Sequence, residues 1–225
     1  MHQGAMKLVR WDSNDDLLVE TLLEHAGWNE AAQRRVRLLY DTLSAGAASP
    51  TFAATCALLE ELGVAREHAP QHVRALCRSA PADAGPCFED FLLGLVAMDP
   101  STAHGGVWNG LRAQYIFRRY DADGDGYLSV DDLALLMAEV DAAYGRSPLP
   151  ADLQCAEAAM AMARLSHGGG ALSLSGFRDA VGSLQLRGCS RLFRFDAPLF
   201  SDVGGAVSDT RCAACAAEGG GPSPA

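Results

Sequence analysis

A chain of 225 residues, 49% hydrophobic and 20% charged, can bury a sizeable core, as one compact domain or two small ones. Its net charge of −10 argues against a protein that tracks nucleic-acid phosphates, which needs a basic stripe. No apolar run approaches the ~18 residues of a membrane span, the start carries no secretory apolar stretch, and His2 stands where N-myristoylation requires Gly. Seven cysteines, at 56, 77, 87, 155, 189, 212 and 215, suit a reducing compartment better than a disulfide framework. The expectation is a cytoplasmic protein with no membrane anchor and no nucleic-acid partner.

In chain order, apolar residues at Leu17, Leu18, Leu22 and Leu23 predict a helix over 15–28. Val36, Leu39, Tyr40 and Leu43 predict one over 30–43, and Gly63 stops the next, over 52–62. Helices follow over 68–78 and 88–98, separated by the Pro/Gly-rich "SAPADAGPC". Two more, over 108–120 and 130–143, flank "YDADGDGYLSVDDL"; the last two, over 151–164 and 174–185, flank "LSHGGGALS". No run reads as a strand, so the expected fold class is all-α. "LSLSGFRDAV" at 172–181 matches "LSVDDLALLM" at 128–137, and "FEDFLLGL" at 88–95 matches "VDDLALLM" at 130–137. Four helix–loop–helix units fit, near 30–63, 68–98, 108–143 and 151–185.

"YDADGDGYLSVDDL" crowds five of the 28 acidic residues into fourteen positions, which asks for a cation. With Asp121 as position 1, Asp123 is position 3, Asp125 position 5, Gly126 position 6, Tyr127 position 7, Ser129 position 9 and Asp132 position 12. Alternate carboxylates of a tight turn converge on one point, and a glycine at position 6 allows the chain to reverse. The expected ligands are the carboxylates of Asp121, Asp123, Asp125 and Asp132 and the Tyr127 carbonyl, with Ser129 acting through a water. The ion is Ca²⁺, with Mg²⁺ as the alternative. Position 12 holds Asp rather than the usual Glu; one methylene shorter, it favours monodentate ligation, which weakens Ca²⁺ and shifts preference toward Mg²⁺.

This loop resembles the EF-hand. Its flanks agree: Ala113, Ile116, Phe117 and Tyr120 before it, and Leu133, Leu136 and Met137 after it, each share one helical face. "FEDFLLGLVAMDPSTAHGGVWNGLRAQYIFRRYDADGDGYLSVDDLALLMAEV" resembles the centre of calcineurin B, calcineurin B-like proteins and neuronal calcium sensors. The resemblance implies two paired-hand lobes, and the residues at the ligand positions leave one loop intact and three degenerate. It divides the chain into an N-terminal helical extension (1–29), a degenerate pair (30–100), a pair carrying the live site (101–187), and an apolar segment with a flexible tail (188–225).

The remaining loops lack ligands. The first keeps only Asp41; the second has Ser79, Pro81, Asp83 and Asp90 at the key positions, and the fourth has Leu165, His167, Gly169 and Gly176. Cys212 and Cys215 form a lone C-x-x-C, read as free thiols in preference to half a zinc site. His68 and His72, at i, i+4, read as surface residues, and Met137, Met160 and Met162 as core in preference to a target groove. Leu192, Phe193, Phe195, Leu199 and Phe200 make 188–200 too apolar for a tail, so it packs on the four-unit body or docks elsewhere.

The functional expectation is a non-catalytic calcium sensor or regulatory adaptor that engages a protein partner through an amphipathic helix. Two alternatives stand beside it: a regulatory module of a larger enzyme such as a phosphatase or kinase, and a structural subunit with a constitutive Mg²⁺ or Ca²⁺ site.

Overall fold

The structure, a computed structural model, describes residues 23, 26, 28–77, 84–103, 105–166 and 168–199. Helix α1 spans Glu30–Ser44, α2 Phe52–Glu61, α3 Ala69–Leu76, α4 Phe88–Met98 and α5 Gly106–Tyr120. Strand β1 (Tyr127–Leu128) leads into α6 (Val130–Ala143) and α7 (Ala151–Leu165); β2 (Leu172–Ser173) leads into α8 (Leu174–Gly182), and a 3-10 turn covers Cys189–Phe193. The predicted helix over 15–28 lies outside the described residues except at positions 23, 26 and 28, where Leu23 and Trp28 are buried.

Local chemistry explains where the helices start. Asn29, Thr51, Ser129 and Ser173 each accept a backbone N–H of the first turn that follows, filling donors a helix cannot satisfy internally. The ends explain a correction. The last helix stops at Gly182 rather than 185, because Leu184 turns left-handed at φ 62°. There the Gln185 amide reaches back to the Ala180 carbonyl and the Leu184 amide to that of Val181, a closure periodicity does not reveal.

The expectation of no strand also needs correcting. β1 pairs antiparallel with β2, Leu128 opposite Leu172 and Tyr127 opposite Ser173. Two residues are too few to display alternation, so the pairing is visible only in space. It joins equivalent positions of the third and fourth loops. An isolated bridge between Thr51 and Ala84 links the first and second loops in the same antiparallel sense.

The helices share one continuous core from Leu23 to Phe195. At Gly94 a Cβ would lie 2.2 Å from Leu76 Cδ2, so any side chain there would force the buried Leu76 to shift where α4 meets the end of α3. Arg112 is fully buried yet has its polar head satisfied: Nε donates to the Ala97 carbonyl at 2.6 Å, Nη1 to Ala103 at 2.7 Å and Nη2 to Thr102 at 2.8 Å. It fastens the middle of α5 to the end of α4 and the turn that leaves it. Burial pushes its guanidinium down to about 10, with Arg194 nearby acting in the same direction.

The segment 189–199 crosses this body as a strap. Phe193 is fully buried between two rings, His72 of α3 at 5.1 Å and Tyr115 of α5 at 5.0 Å, both nearly parallel to it. The Phe195 amide donates to the Met98 carbonyl at 2.8 Å, and the Leu199 amide to Asp99 Oδ2 at 3.0 Å. Arg194 Nη2 donates to the carbonyls of Pro100 and Thr102 at 2.9 and 2.6 Å. Of the five apolar residues expected to pack, Phe193 and Phe195 are buried and Leu192 and Leu199 half-buried; Phe200 lies outside the described residues.

His72 is therefore not a surface residue: it is 4% exposed, stacked on Phe193, with Nε2 3.2 Å from the Leu192 carbonyl and Nδ1 2.9 Å from that of His68. Burial first, then the Arg119 cation, pushes its imidazole down to about 4. An imidazole that stays neutral in the fold but protonates when unfolded contributes stability above its ordinary value near 6.5. That contribution is lost as pH falls from about 6.5 to about 4. The two carbonyls favour the charged ring and temper the effect, so a loss of about 1–3 kcal/mol is expected over this window. Chemical denaturation at pH 7 and pH 4.5 should show this part of the slope removed in His72→Phe.

The three methionines divide: Met162 is buried, Met137 half-buried, and Met160 61% exposed on the outer side of α7. All five described cysteines are free; Cys212 and Cys215 lie outside the described residues.

Candidate metal centre

Asp121 caps the C-terminus of α5, and β1 with Ser129 leads into α6, so the loop is held at both ends by helices whose inner faces are in the core. Ala113, Ile116, Phe117, Tyr120, Leu133 and Leu136 are buried, Met137 half-buried. The loop is kept open by its own polar bonds. Asp121 Oδ2 accepts the Gly126 amide at 3.1 Å, Asp123 Oδ1 the Asp125 amide at 3.3 Å, and Asp125 Oδ1 the Tyr127 amide at 2.7 Å. Gly126 has φ 84° with nothing within 4 Å of where a Cβ would sit; the backbone angle, not lack of room, requires glycine there.

Asp121, Asp123 and Asp125 bring one carboxylate oxygen each to within 4.8 Å of one another, and among the described residues no other metal-ligating group of three does so. Asp121 Oδ1 is shielded from water and has no hydrogen-bond partner among the described residues. An unpaired buried oxygen on a carboxylate that stands beside two more carboxylates costs free energy unless a cation neutralises the group. Burial first, then the Asp125 charge and the close Asp123 carboxyl, by side-chain contact and by charge, raises the Asp121 carboxyl above its ordinary range, against a bond from the Gly126 amide that lowers it. These side chains fit a hard divalent cation.

Asp132 is placed differently. Its Oδ2 accepts the Ser129 amide at 2.9 Å and the Ser129 hydroxyl at 2.7 Å, while the Asp132 amide donates back to Ser129 Oγ at 3.2 Å. This reciprocal capping box starts α6 and turns the carboxylate of Asp132 onto Ser129, outside the group of three. A Ser-x-x-Asp signal stands in the sequence beside the ligand reading, and one carboxylate serves both.

In the other loops, Asp41 lies inside α1 rather than in a loop, and Asp90 is buried at the start of α4. Leu165 ends α7, and Gly176, within α8, has no side chain to offer. Ser79, Pro81, Asp83 and His167 lie outside the described residues.

Sequence reasoning missed the polar cluster behind the loop. The last two residues of α5, Arg119 and Tyr120, both donate to Glu139 Oε2 of α6, Tyr120 Oη at 2.6 Å and Arg119 in a direct ion pair. Burial, partly offset by the Arg119 cation and reinforced by the Glu139 carboxylate, pushes the Tyr120 phenol far above its ordinary value, so it stays a donor. The i, i+19 and i, i+20 spacings leave no local signal.

No helix among the described residues is long and apolar enough to cross a membrane, and no curated protein matches the chain. Residues 112–144 match the family model of the EF-hand domain, from the buried Arg112 through the aspartate loop to the end of α6, which supports placing this part of the chain in the EF-hand superfamily.

Proposed function

We propose that the chain is a non-catalytic calcium-responsive adaptor with one divalent-cation site, set in the third of four helix–loop–helix units arranged as two pairs. The observation that carries the reading is the convergence of the Asp121, Asp123 and Asp125 carboxylates, with Asp121 Oδ1 shielded and unpartnered, within the segment that matches an EF-hand domain. Asp121, Asp123, Asp125 and Asp132 and the Tyr127 carbonyl hold the ion, with Ser129 acting through a water. A bound Ca²⁺ or Mg²⁺ neutralises the clustered carboxylates. Asp132 leaves its bond to Ser129 to join them, and the head of α6 follows it. The partner is a protein that presents an amphipathic, basic helix, in keeping with the net charge of −10 and with Leu153 and Met160 exposed on α7.

Hydrogen exchange followed with and without Ca²⁺ tests the reading. The amides of Asp125, Gly126 and Tyr127, already bonded to loop carboxylates, are expected to exchange more slowly with the ion, and the Ser129 amide to change partner. Identical exchange in both conditions refutes it.

Position 12 gives a second expected result. Asp132→Glu should tighten Ca²⁺ on the order of tenfold and reduce competition by Mg²⁺, because the added methylene restores bidentate reach, while Ser-x-x-Glu still provides a capping box when no ion is bound. Competition titrations with both ions check it. Unchanged affinities for both would dismiss Asp132 as the limiting ligand.

A further inference from the structure

Arg119 is buried where three segments meet. Its Nη2 lies against Glu139 of α6 and 3.1 Å from His68 Nδ1, and its Nη1 donates to the Leu192 carbonyl of the strap at 3.1 Å. Tyr120 brings a second donor to the same Glu139 oxygen. Asp121, the first residue of the aspartate loop, follows directly in the chain. Glu139 therefore ties the helix that enters the loop to the helix that leaves it, and the cation next to that tie also holds the strap.

For Asp132 to reach the Asp121–Asp123–Asp125 group it must leave Ser129. Being one methylene shorter than Glu, it has about one bond length, ~1.5 Å, less reach, which an advance of the head of α6 would supply. α6 is an unbroken helix of 14 residues, so Glu139, two turns on, is carried with it. Where such a shift runs along the Tyr120–Glu139 contact, it stretches the 2.6 Å O–H···O bond toward about 4 Å, beyond hydrogen-bond range.

We propose that Glu139 is a clasp that resists cation uptake by the 121–132 loop and couples its occupancy to docking of the 189–199 strap. The proposal rests on the cation reading above. Linkage makes the coupling reciprocal: whatever weakens the clasp tightens the ion, and the ion loosens the hold of Arg119 on Leu192.

The test is calorimetric Ca²⁺ titration of the full chain and of its Glu139→Gln and Tyr120→Phe variants, with hydrogen exchange at the Phe195 amide. Tyr120→Phe removes one oxygen and no charge, so it keeps the test alive if Glu139→Gln fails to fold. Both variants are expected to bind Ca²⁺ about fivefold more tightly or better. The sign is diagnostic, because loss of the Glu139 negative charge alone weakens attraction for a cation. In the unsubstituted chain, Ca²⁺ should speed exchange of the Phe195 amide, which now bonds to the Met98 carbonyl. Unchanged or weaker Ca²⁺ affinity in both variants, beside normal binding by the unsubstituted chain, overturns the clasp alone. An unsubstituted chain that takes up neither Ca²⁺ nor Mg²⁺ overturns the cation reading and the clasp with it.

Discussion

Phe193→Ala is expected to lower the unfolding free energy by about 3–5 kcal/mol, in the range of fully buried aromatic truncations. The ring is fully buried, and it is the layer between His72 of α3 and Tyr115 of α5. Removing it leaves both flanking rings without a face to stack on and opens a cavity that the helices on either side cannot close without shifting. The loss should spread to its neighbours: with the strap loosened, the Leu192 carbonyl no longer accepts from Arg119 or lies beside His72 Nε2. Chemical denaturation of the two proteins measures the difference. Phe193→Leu, which keeps most of the volume, should lose markedly less. Equal stability for all three would mean that the strap lies on the body without holding it together.

Asp121→Asn is expected to weaken divalent-cation affinity on the order of a hundredfold, since a hard ion depends on the charge count of its ligands. The same substitution should make the protein more stable when a chelator is present. Burial and the charges of Asp125 and Asp123 disfavour the ionised Asp121 carboxyl in the fold, and a neutral amide avoids that cost while its oxygen still accepts the Gly126 amide. Opposite signs for binding and for stability are the signature of a residue kept for a ligand. Thermal melts in chelator and in Ca²⁺ read both; a variant less stable in chelator and unaltered in Ca²⁺ binding would mark Asp121 as a structural cap.

How much was legible in the sequence follows from the range of the interactions. Helix positions rest on apolar spacing and on breakers such as Gly63, all local signals, and they agree with the structure to within a few residues. The aspartate loop is local too, so its three converging carboxylates could be named from spacing alone. What stayed hidden depends on distant partners. His72 is buried by Phe193, 121 residues away along the chain, and a pair of histidines at i, i+4 looks the same on a surface. Arg112 reads as one more helix arginine until the carbonyls of Ala97, Thr102 and Ala103 surround it. Asp132 shows the opposite difficulty: two local signals, position 12 of the loop and N3 of a capping box, fall on one carboxylate, and only coordinates show which partner it holds.

The central claim, a single divalent-cation site at Asp121, Asp123, Asp125, Tyr127 and Asp132, is tested most directly by calorimetric titration of the intact chain with Ca²⁺, with and without Mg²⁺ in millimolar excess. The account expects one equivalent of bound Ca²⁺, at or beyond the weak end of the roughly 10⁻⁷–10⁻⁵ M range of sensor hands, with affinity reduced by Mg²⁺. Two or more tightly bound equivalents, or no uptake of either ion, would contradict it.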